Sequence, residues 1–354
     1  MTTAHRDELS LEYRPFSLEL EEPLSTAHGS IERRDGFLVR ITDAEGTVGY
    51  GEASPLPGWT ESAESCEAAL ERARKAFETA GKCKALEGVD RSVAARHAVT
   101  LALTDLAATR EATPLYRYLG KGPLMGRIPV NATIGDADPA ATASAAGTAV
   151  DRGFDVCKVK VGRRSLDEDL ERLARVREAI GPAPAIRVDA NEAWTYDEAR
   201  TALSTCNDLD VSMLEQPLPA GALEGHAALR GSGVSIALDE GVLEHGIDAI
   251  CEGQAADVVV LKPMALGGID VARKVAAWVT ELGVTPLVTT TIDAVVARTA
   301  AVHLAAAIPN VPACGLATAD FLAEDLGRDP VLLEKGSAVV PQAKGLGVDG
   351  VWEE

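Results

Sequence analysis

The chain has 354 residues, 46% hydrophobic and 25% charged, which is an ordinary balance for a globular protein with a large core. Its formal net charge of −20 excludes nucleic acid and anionic membrane surfaces as partners, because both would repel it. Only ten of the 34 Lys and Arg residues are lysines. This composition is typical of a salt-loving cytoplasm, where salt screens carboxylate repulsion, so we expect the melting temperature to rise with KCl.

The six cysteines form no CxxC pair and share no metal-ligand spacing with histidine. This pattern favours reduced, buried thiols in a cytosolic protein. The first fifteen residues hold no apolar signal-peptide core, and no apolar run approaches 18 residues. We therefore expect a cytoplasmic protein with no membrane partner.

Residues 11–54 predict strands, with a turn at Asp43–Gly46 and a polar loop over residues 28–36. Residues 61–119 keep an apolar stripe at helical spacing. Strands followed by helices predict an α+β unit over residues 1–125.

After residue 126, short apolar runs alternate with helical stretches. There are eight such runs: IPVNATI, VCKVKV, AIRVDA, VSMLEQ, VSIALDE, DVVVLKP, TPLVTTT and VPACG. Eight strand–helix units in series predict an α/β fold, a (β/α)8-type barrel over residues 126–325. Residues 326–354 are expected to return to the N-terminal unit.

Four of these runs end in a charged residue: Asp189, Glu215, Asp239 and Lys262. Each lies about one strand–helix unit after the previous one, so all four are expected at the same rim of the barrel. A single charged residue at a strand end is usually a helix cap or a solvated loop residue. Three carboxylates at one rim, however, form an all-oxygen set that favours Mg²⁺, for which Mn²⁺ could substitute.

Two more of the ten lysines, Lys158 and Lys160, are one residue apart in an apolar run. Alternate residues of a strand share a face, so both side chains point the same way. A lysine is a poor base at pH 7 because its free pKa is about 10.4. Two ammonium groups about 7 Å apart repel by ~2.4 kcal/mol at an effective dielectric constant of ~20. We interpret the pair as mutual pKa depression beside a metal ion.

The barrel half resembles the enolase superfamily, in its muconate-lactonizing branch. The resemblance lies in the KxK motif of Lys158 and Lys160 and in RVDANEAW, LEQP, LDEG and LKP. Within that branch the chain is most similar to the o-succinylbenzoate synthase family, also through GYGEASPLPGW and LALTDLA. The resemblance implies an N-terminal capping domain completed by C-terminal residues.

The resemblance also implies site roles: Mg²⁺ bound by Asp189, Glu215 and Asp239, and Lys160 as the acid and base. Lys158 would tune Lys160, and Lys262 would offer positive charge on the opposite face of the enediolate. The implied reaction is the syn-dehydration of 2-succinyl-6-hydroxy-2,4-cyclohexadiene-1-carboxylate to o-succinylbenzoate, in menaquinone synthesis. Four residues match substrate-contacting positions: Asn191, Thr290, Ile292 and Gly315. Arg187, two residues before Asp189 and on the same face, is expected to be a further substrate contact.

Two other functions stay open. In a dipeptide epimerase or N-acylamino acid racemase of the same branch, Lys160 and Lys262 would be bases on opposite faces of an α-carbon. Dipeptide epimerases commonly carry a DxD motif after the last strand, where this chain has Ala317 and Ala319. A non-catalytic barrel used as a binding protein is the third reading.

Two segments, residues 27–36 with two glycines and residues 55–62 with glycine and proline, are expected to close the barrel mouth as lids. Trp59 lies in the second and could equally be ordinary packing. Arg33 and Arg34 in the first are interpreted as solvated surface charge. The sequence leaves the oligomeric state open.

Overall fold

The computed structural model describes residues 9–26, 29–120 and 124–353. Its N-terminal unit is an antiparallel sheet of β1 (Ser10–Thr26), β2 (Gly29–Thr42) and β3 (Val48–Ala53), followed by helices α1 (Ala63–Thr79), α2 (Lys82–Val89), α3 (Val93–Arg110) and α4 (Leu115–Leu119). The turn predicted at Asp43–Gly46 is present. It forms because the Asp43 carboxylate accepts the backbone N–H groups of Glu45 and Thr47 at 3.0 and 2.7 Å.

The polar loop predicted over residues 28–36 is wrong for residues 29–36, which belong to β2; residues 27 and 28 lie outside the described residues. The lid predicted over residues 27–36 stays a prediction. The ladder with β1 continues through this polar stretch, pairing Leu18 with Arg34 and Glu19 with Arg33. Backbone hydrogen bonds do not depend on side-chain polarity, so a polar sequence can extend a hairpin.

Seven parallel strands follow, in the spatial order of their sequence. They are β5 (Ala132–Ile134), β6 (Val156–Lys160), β7 (Ala185–Asp189), β8 (Val211–Glu215), β9 (Ser235–Leu238), β10 (Val258–Leu261) and β11 (Thr285–Val288). The eighth predicted strand, VPACG, forms isolated parallel bridges from Cys314 to Val130 and from Gly315 to Thr289. These bridges close the sheet into a ring, and the predicted fold class is confirmed.

Helices connect the strands on the outside of the ring. They are α5 (Pro139–Asp151), α6 (Leu166–Ile180), α7 (Tyr196–Asp208), α8 (Leu223–Leu229), α9 (Glu240–Glu252), α10 (Pro263–Leu266), α11 (Ile269–Glu281) and α12 (Val295–Ala306). No helix in the described ranges is long and apolar enough to cross a membrane. All six cysteines are free thiols; four are buried, Cys251 is half-buried and Cys83 is exposed.

Strand alternation separates the two faces of the ring. Cys157 and Val159 of β6 pack outward into the large core between strands and helices. Lys158 and Lys160 take the other face, as predicted from the period of two. On that inner face five apolar side chains form a plug below the strand ends: Met213, Ala237, Val258, Val260 and Leu287.

The C-terminal residues contact both units. Strands β12 (Leu333–Glu334) and β13 (Ser337–Val339) join β4 (Arg127–Pro129) in a small antiparallel sheet, after a single 3-10 turn at Ala319–Phe321. Leu346 and Val351 then pack against Leu38, Leu101 and Leu115 of the N-terminal unit. The Arg14 guanidinium also donates to the Val351 carbonyl at 2.8 Å.

His303 of α12 joins three parts of this interface and predicts a pH dependence. Its buried ring accepts the Tyr116 N–H at Nδ1 (3.2 Å), so its Nε2–H donates to the Leu346 carbonyl (3.0 Å). Burial lowers the pKa of His303 to about 4. A proton at Nδ1 would face the Tyr116 N–H, so the folded ring stays neutral.

The unfolded chain binds this proton near pH 6.5 and the folded chain only near pH 4. Stability is therefore lost as the pH falls from 6.5 to 4. Between pH 7 and 4.5 we expect His303 to account for roughly 2.4 kcal/mol of lost unfolding free energy. In urea titrations at both pH values, His303→Gln should shrink the pH difference by that amount. An unchanged difference would contradict the assignment.

Candidate active site

Three of the predicted site residues lie side by side at one level of the sheet. Lys160, Asp189 and Glu215 are paired across β6, β7 and β8. The Lys160 Nζ lies 2.6 Å from Asp189 Oδ2. Lys158 precedes Lys160 by two residues on the same face of β6, and its Nζ lies 2.8 Å from both Asp189 Oδ2 and Glu215 Oε1. Residues that recur at intervals of one strand–helix unit in the sequence are therefore in contact in the structure.

The other half of the cluster comes from the next two strands. Asp239 directly follows β9 and Lys262 directly follows β10, with 2.6 Å between Lys262 Nζ and Asp239 Oδ2. Three strands separate β6 from β10, so Lys160 and Lys262 approach the cluster from opposite walls of the ring. The indole of Trp59, from the N-terminal unit, covers the Lys262 Nζ at 3.3 Å from the ring centroid.

Burial and charge act against each other on the carboxylates. Burial tends to raise the pKa of Asp189, but the ammonium groups of Lys158 and Lys160 outweigh it and hold that pKa far below its usual range. Burial raises the pKa of Glu215, helped by the charge of Asp189. Burial also raises the pKa of Asp239 to about 6, although Lys262 opposes it. Of the three carboxyl groups, Asp189 has the lowest pKa and is therefore the most strongly ionised.

Among the chain's own groups, the neighbouring ammonium does not depress the pKa of Lys158, and depression beside a metal ion stays a prediction. Burial alone would lower the pKa of Lys158, yet the charges of Asp189, Glu215 and Asp239 raise it above the usual value. Three close carboxylates outweigh one neighbouring ammonium group because all of them lie on the same buried face. Lys158 is therefore a firmly charged cation in this structure.

The carboxylates fit a hard cation through their unused oxygens. Glu215 Oε2, Asp239 Oδ1 and Glu240 Oε2 are buried and have no hydrogen-bond partner in the described structure. Buried carboxylate oxygens without a partner are costly, and a divalent cation is a ligand that would satisfy them. As the side chains stand, no three His, Cys, Asp or Glu residues within the described ranges form a ready metal centre. The lysine ammonium groups lie against the carboxylates instead.

Asn191 and Glu240 extend the cluster. Asn191 accepts from Lys160 Nζ at 2.7 Å through Oδ1 and donates to Glu240 Oε1 at 2.9 Å through Nδ2. Sequence reasoning placed Asn191 here, although as a substrate contact. Gln216 was missed: its Oε1 accepts the backbone N–H groups of Asp239 and Gly241, each at 3.0 Å, and so orients the strand end that carries Asp239. Its place in the LEQP motif was the available signal.

The other predicted substrate contacts spread around the ring. Arg187 is buried on β7 and donates to the Ala313 carbonyl at 2.6 Å. Thr290 and Ile292 follow β11, and Thr290 Oγ1 lies 3.2 Å from Thr318 Oγ1. Gly315 lies at the closing bridge, where a Cβ would come within 2.6 Å of Thr289 Oγ1. Thr290 and Ile292 follow the strand next to the one that Lys262 follows, whereas Arg187 lies on β7, paired with Lys158 of β6.

A buried ion pair outside the ring fixes the backbone around Lys160. Arg172 of α6 is fully buried and donates to the Lys160 carbonyl at 2.9 Å and to Asp169 Oδ1 at 2.7 Å. Asp169 Oδ2 in turn accepts the Gly162 N–H at 2.6 Å. The backbone is thus held at the Lys160 carbonyl and at the Gly162 N–H, two residues later. Sequence reasoning missed this pair, because an Asp and an Arg three residues apart on a helix usually form a surface pair.

Comparison with known proteins identifies the family. Residues 12–120 match the mandelate racemase / muconate lactonizing enzyme N-terminal domain, and residues 141–353 match the enolase C-terminal domain-like family. The chain belongs to the enolase superfamily. The superfamily consists of enzymes, and the N-terminal α+β unit is its capping domain.

Individual relatives differ in the reaction they are named for. The chain is 28% identical to the L-Ala-D/L-Glu epimerase of Bacillus subtilis, over 97% of this chain and 96% of that protein. A dipeptide epimerase from Enterococcus faecalis, solved with Mg and the dipeptide L-Leu-L-Tyr, superposes with a TM-score of 0.83 at 28% identity, covering 96% of this chain and 99% of that one. The o-succinylbenzoate synthase of Thermobifida fusca is 36% identical, over 59% of this chain and 65% of that protein. The similarity to epimerases is thus weaker per residue but spans the whole chain.

Proposed function

We propose that this protein transfers a proton at the carbon next to a substrate carboxylate, racemising or epimerising an amino acid whose nitrogen is acylated. The observation that carries the proposal is the placement of Lys160 and Lys262 on opposite walls of the ring, with the carboxylate cluster between them. Two bases facing each other can remove a proton from one face of a carbon and return one to the other. This arrangement inverts the carbon.

In this proposal the two outer lysines exchange roles with the direction of reaction. Lys160 accepts the proton from one enantiomer while Lys262, as an ammonium group, delivers one to the opposite face; the other enantiomer reverses these roles. Asn191, bonded to Lys160 Nζ at 2.7 Å, orients that amine. Lys158, with its raised pKa, stays charged and contributes positive potential rather than a base.

Asp189, Glu215 and Asp239 would hold Mg²⁺, which supplies Lewis-acid stabilisation of the charge that develops on the substrate carboxylate. The unpaired oxygens Glu215 Oε2 and Asp239 Oδ1 support this assignment. The Arg172–Asp169 pair and Gln216 hold the strand ends that carry Lys160 and Asp239, respectively. The backbone positions from which Lys160 and Asp239 extend toward the substrate are therefore fixed.

The substrate class follows from what the mouth offers. The whole-chain similarity to dipeptide epimerases supports an acylated amino acid. Residues 315–319 after the closing bridge offer no carboxylate to a free ammonium group. We therefore propose N-acylamino acids as the first substrates to test and dipeptides as the second.

The expected o-succinylbenzoate synthase is the second candidate. The 36% identity to the Thermobifida fusca enzyme and the absence of a carboxylate at Ala317 and Ala319 favour it. In that dehydration Lys160 alone would move protons. Lys262 would contribute positive charge, a role that suits its contacts with Asp239 and the Trp59 ring. The comparisons nevertheless support the epimerase or racemase over more of the chain.

One experiment separates the candidates. The protein with MgCl₂ in D₂O is given panels of N-acylamino acids and of dipeptides, and α-proton exchange is followed by ¹H NMR and inversion by chiral chromatography. A parallel cuvette with the cyclohexadiene substrate follows the absorbance of the aromatic product. Inversion of a panel member at a higher kcat/KM than dehydration supports the proposal. Dehydration alone supports the synthase. If neither α-proton exchange nor dehydration is observed, both candidate functions are contradicted.

Asp239→Asn should weaken Mg²⁺ binding about tenfold or more, because it removes one negative charge from the proposed ligand set. Isothermal titration with MgCl₂ measures this without any substrate. Glu240→Gln is the matched control, since Glu240 adjoins Asp239 and also has an unpaired buried oxygen. If Glu240→Gln weakens binding and Asp239→Asn does not, Glu240 is the third ligand.

A further inference from the structure

Arg34 is buried where a charged side chain is unexpected. It lies on β2, only 2% exposed, and donates to three backbone carbonyls: Ile292 at 3.1 Å, Pro55 at 3.2 Å and Ser54 at 2.7 Å. Burial lowers the pKa of its guanidinium, and the charges of Asp293 and Glu52 oppose that shift. Its interpretation as solvated surface charge is wrong, whereas Arg33 beside it is exposed. A cation buried among neutral carbonyls indicates that their positions matter.

Two of these carbonyls begin the loop that carries Trp59. After Ser54 and Pro55, the Leu56 N–H donates to Thr60 Oγ1 at 2.8 Å and the Trp59 N–H to the Leu56 carbonyl at 3.0 Å. The loop is therefore a compact turn that moves with its first residues. Holding Ser54 and Pro55 thus holds the indole over the Lys262 ammonium group.

The third carbonyl belongs to a strained residue. Ile292 has a φ of 61°, a left-handed conformation that a β-branched residue rarely adopts. Such a conformation persists only when its surroundings enforce it. Here the Arg34 Nε holds its carbonyl, and the carboxylate of Glu52 accepts the N–H groups of Ala294 and Ala297, each at 2.8 Å. The capping domain therefore holds the segment after β11 through both the Arg34 guanidinium and the Glu52 side chain.

We propose that Arg34 is a positioning residue that sets the spacing between Trp59 and the segment Thr290–Ile292. These two groups belong to different units of the fold, and the Arg34 guanidinium bonds to both of the segments that carry them. The spacing determines the width of the space beside Lys262, where the non-reacting acyl group or side chain of the substrate binds. The effect on substrate binding rests on the proposed function, whereas the effect of Arg34 on the spacing does not depend on it.

Hydrogen exchange with mass spectrometry tests the spacing without a substrate. Arg34→Met keeps the aliphatic stem and removes all three bonds. We expect exchange at least tenfold faster in peptides covering residues 54–60 and 290–297, with peptides from β6 to β8 unchanged. Arg34→Lys, which reaches at most one carbonyl, should show the same pattern at threefold or more and serves if Arg34→Met does not fold. Arg33→Met is the matched control and should leave both segments unchanged.

Steady-state kinetics tests the consequence with the substrate that the wild-type protein turns over. Since Lys160 and the carboxylates are held by other contacts, Arg34→Met should raise KM about tenfold or more and change kcat less than threefold. A purely structural loss would instead lower kcat through fewer active molecules, at an unchanged KM.

Exchange within twofold of the wild type in either segment would overturn the proposal, and so would faster exchange by one common factor along the whole chain. The exchange result stands even if no substrate is turned over. Failure of the positioning role is therefore distinct from failure of the proposed function.

Discussion

Lys160→Ala should reduce turnover by about 10³-fold or more without weakening Mg²⁺ binding, because it removes a proton carrier and none of the proposed metal ligands. In the racemase or epimerase, it should abolish α-proton exchange from one enantiomer of the substrate only. Lys262→Ala should abolish exchange from the other. Proton exchange in D₂O from each pure enantiomer measures both effects, and a Mg²⁺ titration accompanies them.

The exposed Lys274 on α11 offers a matched control, since Lys274→Ala removes a lysine far from the carboxylates. If Lys160→Ala stays within tenfold of the wild-type rate, Lys160 is not the base. If Lys160→Ala stops exchange from both enantiomers while Lys262→Ala stops neither, the two-base mechanism fails. A single moving base, as in the dehydration, then remains.

Arg172→Met should destabilise the fold by about 3–5 kcal/mol, the usual cost of leaving one member of a buried ion pair without its partner. The lost partner is the carboxylate of Asp169, which like Arg172 is fully buried. The change also removes hydrogen bonds to the carbonyls of Lys160 and Gly135. Urea unfolding followed by circular dichroism measures the free energy.

Two controls accompany this variant. Arg172→Met combined with Asp169→Asn removes the stranded charge but keeps an oxygen for the Gly162 N–H, so most of the stability should return. Arg175→Met breaks the exposed pair with Glu178 and should change stability by less than about 1 kcal/mol. Equal losses for Arg172→Met and Arg175→Met would show that burial of the pair contributes nothing.

The barrel and the central residues of the site were predictable, because both follow from the regular alternation of strands and helices along the chain. Lys160, Asp189 and Glu215 recur at intervals of one strand–helix unit, and the parallel register places them side by side. Parallel strands convert equal spacing along the chain into contact across the sheet. The same reasoning placed Asp239 and Lys262 at the next strand ends.

The contacts between the two units were not predictable from local pattern. Arg34 bonds to Ile292, which lies 258 residues away, and Glu52 bonds to Ala294, which lies 242 residues away. Their partners are backbone atoms, which are the same in every residue and leave no signal in the sequence. The left-handed conformation of Ile292 is equally hidden, since nothing in TTTIDA marks it.

The reaction was harder to predict than the chemistry. Lysines and carboxylates at strand ends indicate proton transfer beside a metal, and that part of the site is common to synthases and epimerases. The GYGEASPLPGW and LALTDLA stretches of the N-terminal unit and the alanines at positions 317 and 319 led to the prediction of the synthase. Similarity over nearly the whole chain favours the epimerases instead.

The ring is joined unevenly, and this has an evolutionary consequence. Strands β6 and β7 share five paired positions, whereas the seam rests on the isolated bridges Val130–Cys314 and Thr289–Gly315. Mutations beside the seam can reshape one wall of the mouth while the ladder under Lys160 keeps its register. An ancestor with such a barrel could acquire new substrates on the loosely joined side and retain its proton-transfer apparatus on the other. Relatives named for epimerisation and for aromatisation can thus share one scaffold.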